Sequence, residues 1–191
     1  DGWSYHVYNP GKQPENSRIP YAIERNEENQ VTKYGYFTTM GDLADKVQEK
    51  LNQYGYNDIP LVVSETGHSS VAKYDETYPG GAEMMQANYE LRDFVMMYDK
   101  TDYVSFYNAV SKQNNDSEYE RKLGILNSYK SDSYNDSGVK YSAKPVFLAM
   151  SSFNALLANA ELLNKKIDGN NYDFEFKNQE GQTVYMLWAK E

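Results

Sequence analysis

The sequence predicts an α/β fold with a short parallel sheet, followed by a small antiparallel β element. Strand-length apolar or alternating segments are separated by helical segments, and this order is typical of βαβ units that share a parallel sheet. The run Ile59–Ser64 is almost continuously apolar, as expected for a strand that is covered on both faces. After the last helix the hydrophobic period changes to two, which predicts antiparallel strands.

The first half of the chain predicts one strand, one long loop and one helix. Asp1–Tyr8 alternates between two faces, with Trp3 on the face expected to lie in the core. Asn9–Val31 is polar and carries several prolines without a sustained period, so we expect a long loop, a kind of segment that is often functional. Asp42–Tyr54 places apolar side chains on one helical stripe and ends before a glycine.

The second half repeats this order after Ile59–Ser64. Ala82–Asp99 has a helical period, Tyr103–Asn108 is a strand, and a third helix starts at Pro145, a residue favoured in the first helical turn, and continues to about Ala160. The residues 112–140 are rich in Asn, Asp, Ser and Tyr and predict a loop. Alternating residues 172–176 and 184–189, joined by a turn, predict an appended hairpin.

Composition restricts the class of partner. The net charge of −9 and the lack of any Lys or Arg run argue against nucleic acids and anionic membranes. No apolar run is long enough to span a bilayer. The chain contains 19 Tyr, a residue that both stacks and hydrogen-bonds, as carbohydrate clefts require, although other Tyr-rich binding loops would give the same count. Without Cys there is no disulfide framework and no thiolate metal site.

Glu65 is the strongest candidate for a catalytic residue. It comes directly after the apolar strand and is followed by Thr66-Gly67. In barrels of parallel strands, chemistry takes place where a strand ends and its loop begins. A carboxylate at that point is held by a rigid element and faces the pocket, which suits a nucleophile or a general base. An ordinary surface Glu in a strand-to-helix turn would show the same pattern.

The order of these segments resembles the C-terminal part of the retaining (β/α)8-barrel glycosidases with an acid/base Glu after strand four and a nucleophile Glu after strand seven. Asp1–Tyr8 is similar to their sixth strand, which often carries His-x-Tyr, Leu61–Gly67 to the seventh and Tyr103–Asn108 to the eighth. Leu123–Leu126 and Lys144–Phe147 resemble the passage into the last barrel helix. The resemblance implies a partial (β/α)8 (TIM) barrel over residues 1–163 and an appended β hairpin over 164–191.

The same resemblance assigns roles to the candidate residues. Glu65 occupies the nucleophile position, and Tyr8 the position of a Tyr that hydrogen-bonds the nucleophile. Retaining hydrolysis also needs an acid/base carboxyl group about 5–5.5 Å away. The segments corresponding to strands one to five are absent from this sequence, so we expect the isolated chain to be inactive. A further departure is that the eighth strand ends in Phe106 and Tyr107 where many relatives have Trp.

Other residues are candidates for sugar binding. His6 lies on the same strand face as Tyr8, His68 follows Glu65 closely, and one ring of Phe106 and Tyr107 must face inward, where it could stack on a sugar. His6 and His68 could alternatively be structural. His6, His68 and Glu65 lack the spacing of a metal triad, and the sequence has no phosphate-binding loop with its Lys. We therefore expect no metal and no cofactor.

Three interpretations of function remain open. The chain is expected to be part of a secreted or cell-surface bacterial glycosidase that hydrolyses β-glycosidic bonds. Alternatively, it is a non-catalytic carbohydrate-binding or surface-adhesion module, or a half-barrel that pairs with another chain. Because the outer sheet strands would lack neighbours, we expect the chain to pack against the N-terminal remainder of the barrel or against a second copy.

Overall fold

The computed structural model describes residues 2–9, 12–71, 78–111, 122–128 and 141–190. Most of the polar segment 112–140, predicted to be a loop, therefore lies outside the described residues. The strands and helices follow in chain order: β1 Trp3–His6, β2 Ile19–Arg25, β3 Val31–Phe37, α1 Met40–Gln53, β4 Leu61–Thr66, α2 Gly81–Met97, β5 Tyr103–Phe106, α3 Pro145–Leu157, β6 Glu161–Asp168, β7 Asn171–Lys177 and β8 Thr183–Ala189. A short 3₁₀ helix covers Pro14–Asn16.

The predicted parallel sheet is confirmed. Its order is β1-β4-β5, and both strand pairs are parallel. The helices α1 and α2 connect these strands and cover one face of the sheet. The core on that face contains Val7, Met40, Val63, Phe94 and Met97. The carboxyl ends of the three strands therefore lie on one side, where the candidate residues of the sequence are located.

The long loop predicted for Asn9–Val31 is partly wrong, because the structure contains an antiparallel hairpin there. Strands β2 and β3 pair from Ile19↔Phe37 to Arg25↔Val31. The turn is held by Asn26, whose side-chain oxygen accepts hydrogen bonds from the backbone N–H groups of Glu28 and Gln30. Most of both strands is exposed to solvent, so the hydrophobic alternation that marks a half-buried strand is weak.

Helix α2 lies between the two sheets. It packs against the parallel sheet on one side and against the C-terminal sheet on the other. The second contact buries Val95, Met96, Leu157, Phe174 and Phe176 in one cluster. Because α2 is covered on several faces, polar residues on it are buried as well as apolar ones.

The C-terminal element has three strands rather than the predicted two, in the order β6-β7-β8 with both pairs antiparallel. The sequence prediction missed β6 because most of its residues are exposed and several are charged. A boundary at residue 164 would fall within β6, which begins at Glu161. The sheet is attached to the rest of the chain through Phe174 and Phe176, both fully buried.

Trp3 does not lie in the core, contrary to the expectation from strand alternation. It is 51% exposed and lines a surface groove together with Val47, Leu51, Tyr54 and Tyr56. In the described part of the chain, β1 and β5 each pair on one side only, so the groove lies beside an open sheet edge. None of the described helices is long and apolar enough to cross a membrane.

Candidate functional site

A β-bulge at the end of β4 determines the direction of Glu65. The partners of Tyr5 and His6 on β4 are Val63 and Glu65, so Ser64 is the extra residue. Leu61 and Val63 are buried on the helix side, and strict alternation would point residue 65 to the same side. The bulge shifts the alternation by one residue, so that Thr66 is buried instead and Glu65 is turned toward the open face.

Two side chains contact Glu65: that of His6 in β1 and that of Tyr8, two residues beyond the end of β1. The Tyr8 hydroxyl donates a hydrogen bond to Glu65 Oε2 at 2.9 Å. His6 Nδ1 lies 3.3 Å from the same oxygen. The Glu65 side chain is 35% exposed, so its carboxylate is both fixed and accessible. The structure thus brings together three of the residues that the sequence nominated.

Tyr107 belongs to this group, whereas Phe106 does not. The rings of Tyr8 and Tyr107 meet edge to face, with their centroids 6.4 Å apart. Phe106 packs against the helix-side core that contains Val63 and Phe94. The sequence required one of the two rings to face the site, and the structure places Tyr107 there. We name Glu65, Tyr8, His6 and Tyr107 the Glu65 site.

Gly67 allows the strand ends to approach each other behind Glu65. A Cβ atom at this position would lie 2.7 Å from the Tyr107 carbonyl oxygen and 3.3 Å from a methyl group of Leu123. The Tyr107 backbone N–H also donates to the Thr66 carbonyl at 2.7 Å. A side chain at residue 67 would push β5 away from β4 and move Tyr107 from the Glu65 site.

The sequence suggested that His68 lies beside Glu65 at the open site. In the structure His68 is buried and does not reach that surface. It is 1% exposed, and its Nε2 atom lies 2.5 Å from Asp93 Oδ2 on α2. Its backbone N–H donates to Glu90 Oε2 at 2.9 Å, and its carbonyl accepts from Gln86 Nε2 at 2.7 Å. Helix α2 thereby fixes the turn that follows the Glu65 strand.

Burial changes the protonation of this cluster. Removal from water raises the pKa of Glu90 to about 8, so its carboxyl group is neutral at lower pH. For His68, burial favours the neutral ring, but the hydrogen bond and the charge of Asp93 outweigh it and raise its pKa. Burial likewise raises the pKa of Asp93. Two further oxygens, Glu90 Oε1 and Asp93 Oδ1, have no hydrogen-bond partner among the described residues.

Glu90→Gln is expected to reduce the pH dependence of stability. The Glu90 pKa is about 8 in the folded chain and 4.5 when solvated. Between these values the folded state keeps a proton that the unfolded state has lost, so the free energy of unfolding falls as pH rises. The contribution of Glu90 to this loss should be on the order of 4 kcal/mol across this range in the wild type. Urea unfolding from pH 5 to 8 measures it.

Glu28→Gln is the matched control, because Glu28 is exposed at the hairpin turn. This variant should keep the wild-type pH profile, whereas Glu90→Gln should make it shallower; the slope that remains comes from His68 and Asp93, whose pKa values are also raised. A Glu90→Gln profile parallel to that of the wild type would show that Glu90 is ionised in the folded protein.

Several buried polar residues were not found from the sequence. Glu15 and Arg92 form a buried ion pair, with Arg92 Nε donating to Glu15 Oε1 at 2.6 Å. Lys144 is fully buried; its ammonium group donates to Ser70 Oγ and to the Lys122 carbonyl, and burial lowers its pKa to about 7. The sequence feature that could have indicated buried polar residues is the stripe of Gln86, Glu90 and Asp93 on one face of α2. When no tertiary partner is known, such a stripe resembles a solvent-exposed face.

No group of three or more His, Cys, Asp or Glu side chains that could hold a metal ion is found in the described part of the chain. His6 and Glu65 lie together, but His68 is turned away into the helix-side interior. The three residues considered as a metal triad therefore do not converge on one point.

Comparison with known proteins gives a result for structure only. No protein-family profile matches the sequence, and no curated protein sequence matches it either. The fold is similar to that of a family 39 glycoside hydrolase from the gut symbiont Bacteroides cellulosilyticus WH2, with a TM-score of 0.67 and 21% identity. That match covers 100% of this chain and 34% of the other.

A second structure is similar at a lower level. A monomeric beta-xylosidase from Caulobacter crescentus CB15 has a TM-score of 0.48 and 13% identity, and 91% of this chain corresponds to 32% of that one. The chain thus spans about a third of the length of both proteins. The first match shows that the whole chain has the fold of one part of a larger glycoside hydrolase chain.

Proposed function

We propose that this chain contributes the nucleophile Glu65 to a retaining glycoside hydrolase, as the C-terminal part of a (β/α)8 barrel. The observation that carries the proposal is the Glu65 carboxylate, turned by a bulge to the carboxyl end of a parallel sheet and hydrogen-bonded by Tyr8. The similarity to part of a glycoside hydrolase chain supports the barrel context.

The proposed reaction uses Glu65 in two steps. Its carboxylate attacks the anomeric carbon, and the glycosidic oxygen leaves with a proton from a second carboxyl group, giving a glycosyl ester. Water, deprotonated by that second group, then attacks the same carbon and releases Glu65. The Tyr8 hydrogen bond keeps one carboxylate oxygen in place during both steps. The second carboxyl group is supplied by protein outside this chain.

The open face of the sheet is consistent with such a partner. Ser4 and Ser105 are exposed, and they alternate with Tyr5 and Val104, which pack on the face that the helices cover. Within the described residues, the outer edges of β1 and β5 have no neighbouring strand, and their backbone groups favour further strands there. We propose the N-terminal remainder of the barrel as this partner, and a second copy as the alternative.

We also propose that the protein is exported to the bacterial cell surface or to the medium.

Trapping of the glycosyl ester tests the assignment. Incubating the full-length protein with 2-deoxy-2-fluoro glycosides that carry a good leaving group should add one sugar to the peptide containing Glu65, because fluorine slows hydrolysis of the ester. Mass spectrometry of the digest locates the adduct. The proposal would be contradicted if a different carboxylate carried the sugar. It would also be contradicted if none of the fluoro glycosides labelled Glu65 or inactivated the protein.

A further inference from the structure

A cavity of about 400 Å³ lies directly beside the Glu65 site. Its lining includes Tyr8, Asn9, Lys12, Ser17, Arg18 and, from β3, Tyr36. Tyr8 belongs both to this cavity and to the Glu65 site, since its hydroxyl donates to Glu65. A ligand with its reacting bond at Glu65 could therefore extend past Tyr8 into the cavity.

Hydrogen bonds hold the wall of the cavity in place. Asn9 is buried, and its amide nitrogen lies 2.7 Å from Ser17 Oγ and 3.1 Å from the Lys12 carbonyl. The Ser17 hydroxyl donates to the Pro14 carbonyl, and its backbone N–H donates to the Thr38 carbonyl at 2.8 Å. The segment carrying Lys12 and Arg18 is thus tied to β1 and to the end of the hairpin.

The charge of the cavity is opposite to that of the chain. The chain has a net charge of −9, yet the described residues that line the cavity include Lys12 and Arg18 and no Asp or Glu. Neither cation is ion-paired with a carboxylate among the residues that the structure describes. The Arg18 guanidinium lies 4.8 Å from the centre of the Tyr36 ring, which orients its planar group.

We propose that this cavity binds the anionic substituent of an acidic carbohydrate, a carboxylate or a sulfate group. A guanidinium group can bind either anion through two parallel hydrogen bonds, and Lys12 adds a second positive charge. Tyr8 and Tyr36 supply ring surfaces for the sugar that carries the substituent. This inference rests on the proposed function, because it places the acidic sugar next to the bond that Glu65 attacks.

The test compares oligosaccharides that differ in charge. Full-length Glu65→Gln protein is applied to arrayed neutral, uronate-containing and sulfated oligosaccharides, and the bound members are measured by titration calorimetry. We expect acidic members to bind at least tenfold more tightly than neutral members with the same backbone. Preference within the acidic set distinguishes a carboxylate ligand from a sulfate ligand.

Variants of the cavity decide whether the preference arises there. Arg18→Gln in the same background should weaken the binding of acidic members about tenfold more than the binding of neutral members with the same backbone. Lys50→Gln removes the same charge from α1, outside the lining of the cavity, and should have no effect. Preferential binding of neutral sugars, or an acidic preference that Arg18→Gln leaves intact, would overturn the inference.

Failure of this inference can be separated from failure of the proposed function. If Glu65-dependent hydrolysis of neutral glycosides is found and the acidic preference is not, only the cavity assignment is wrong. If the acidic preference depends on Arg18 but Glu65 is not labelled by fluoro glycosides, the nucleophile assignment is wrong and the binding site stands.

Discussion

The proposed function predicts that replacing Glu65 by Gln in the full-length protein lowers kcat for glycoside hydrolysis by on the order of 10³-fold or more. The amide keeps the size of the side chain and can still accept the Tyr8 hydrogen bond, but it cannot attack an anomeric carbon. The sheet and its core do not depend on this side chain, which is partly exposed. Steady-state kinetics on aryl glycosides, together with a melting curve, measures both effects.

Tyr8→Phe provides a graded comparison at the same site. It removes one hydrogen bond to a carboxylate, a contact worth about 1.5–3 kcal/mol, and should reduce kcat/KM about ten- to a hundredfold. Tyr54→Phe is the matched control, because Tyr54 is 77% exposed at the end of α1. Turnover by Glu65→Gln within tenfold of the wild type would exclude Glu65 as the nucleophile.

Arg92→Met is expected to lower the free energy of unfolding by about 3–5 kcal/mol, because it leaves the Glu15 carboxylate buried without its counter-charge. Glu15 is 1% exposed and also accepts a hydrogen bond from Trp188 Nε1. This contact joins three distant parts of the chain: the 3₁₀ helix, α2 and β8. Urea unfolding of the full-length protein measures the loss.

Two variants define the cause of that loss. Lys33→Met breaks the ion pair with Glu24, in which both side chains are more than half exposed, and should change stability by less than about 0.5 kcal/mol. Glu15→Gln combined with Arg92→Met should recover part of the stability, because no unpaired charge remains buried. A double variant as unstable as Arg92→Met would assign the loss to packing rather than charge.

The parallel sheet was predictable because its strands and helices differ in period and length. Ile59–Ser64 is a short, almost continuously apolar run, and the helices on either side carry apolar stripes. The hairpin β2–β3 and strand β6 were missed for the opposite reason, since they are mostly exposed and their pattern is dominated by polar residues. Periodicity detects only those elements that bury one face.

Within the site, the position of Glu65 after an apolar strand and the resemblance of the segment order to barrel glycosidases together nominated Glu65, Tyr8, His6 and Tyr107. The sequence could not place His68. It follows Glu65 by three residues, but its side chain contacts Asp93 in the interior. Nor could the sequence place Trp3, which strand alternation assigned to the core and the open sheet edge leaves exposed.

The amino-acid pattern was enough to predict the class of fold, the parallel neighbours β1, β4 and β5, and the acidic residue at the end of β4. These follow from local pattern, since hydrophobic period and chain connectivity restrict how neighbouring segments can pack. Only the tertiary structure decided which way Glu65 points, because one bulged residue reverses the face of every residue after it. It also decided that polar residues of α2 are buried, because α2 is covered by the parallel sheet on one side and by the C-terminal sheet, which is distant from it in sequence, on the other.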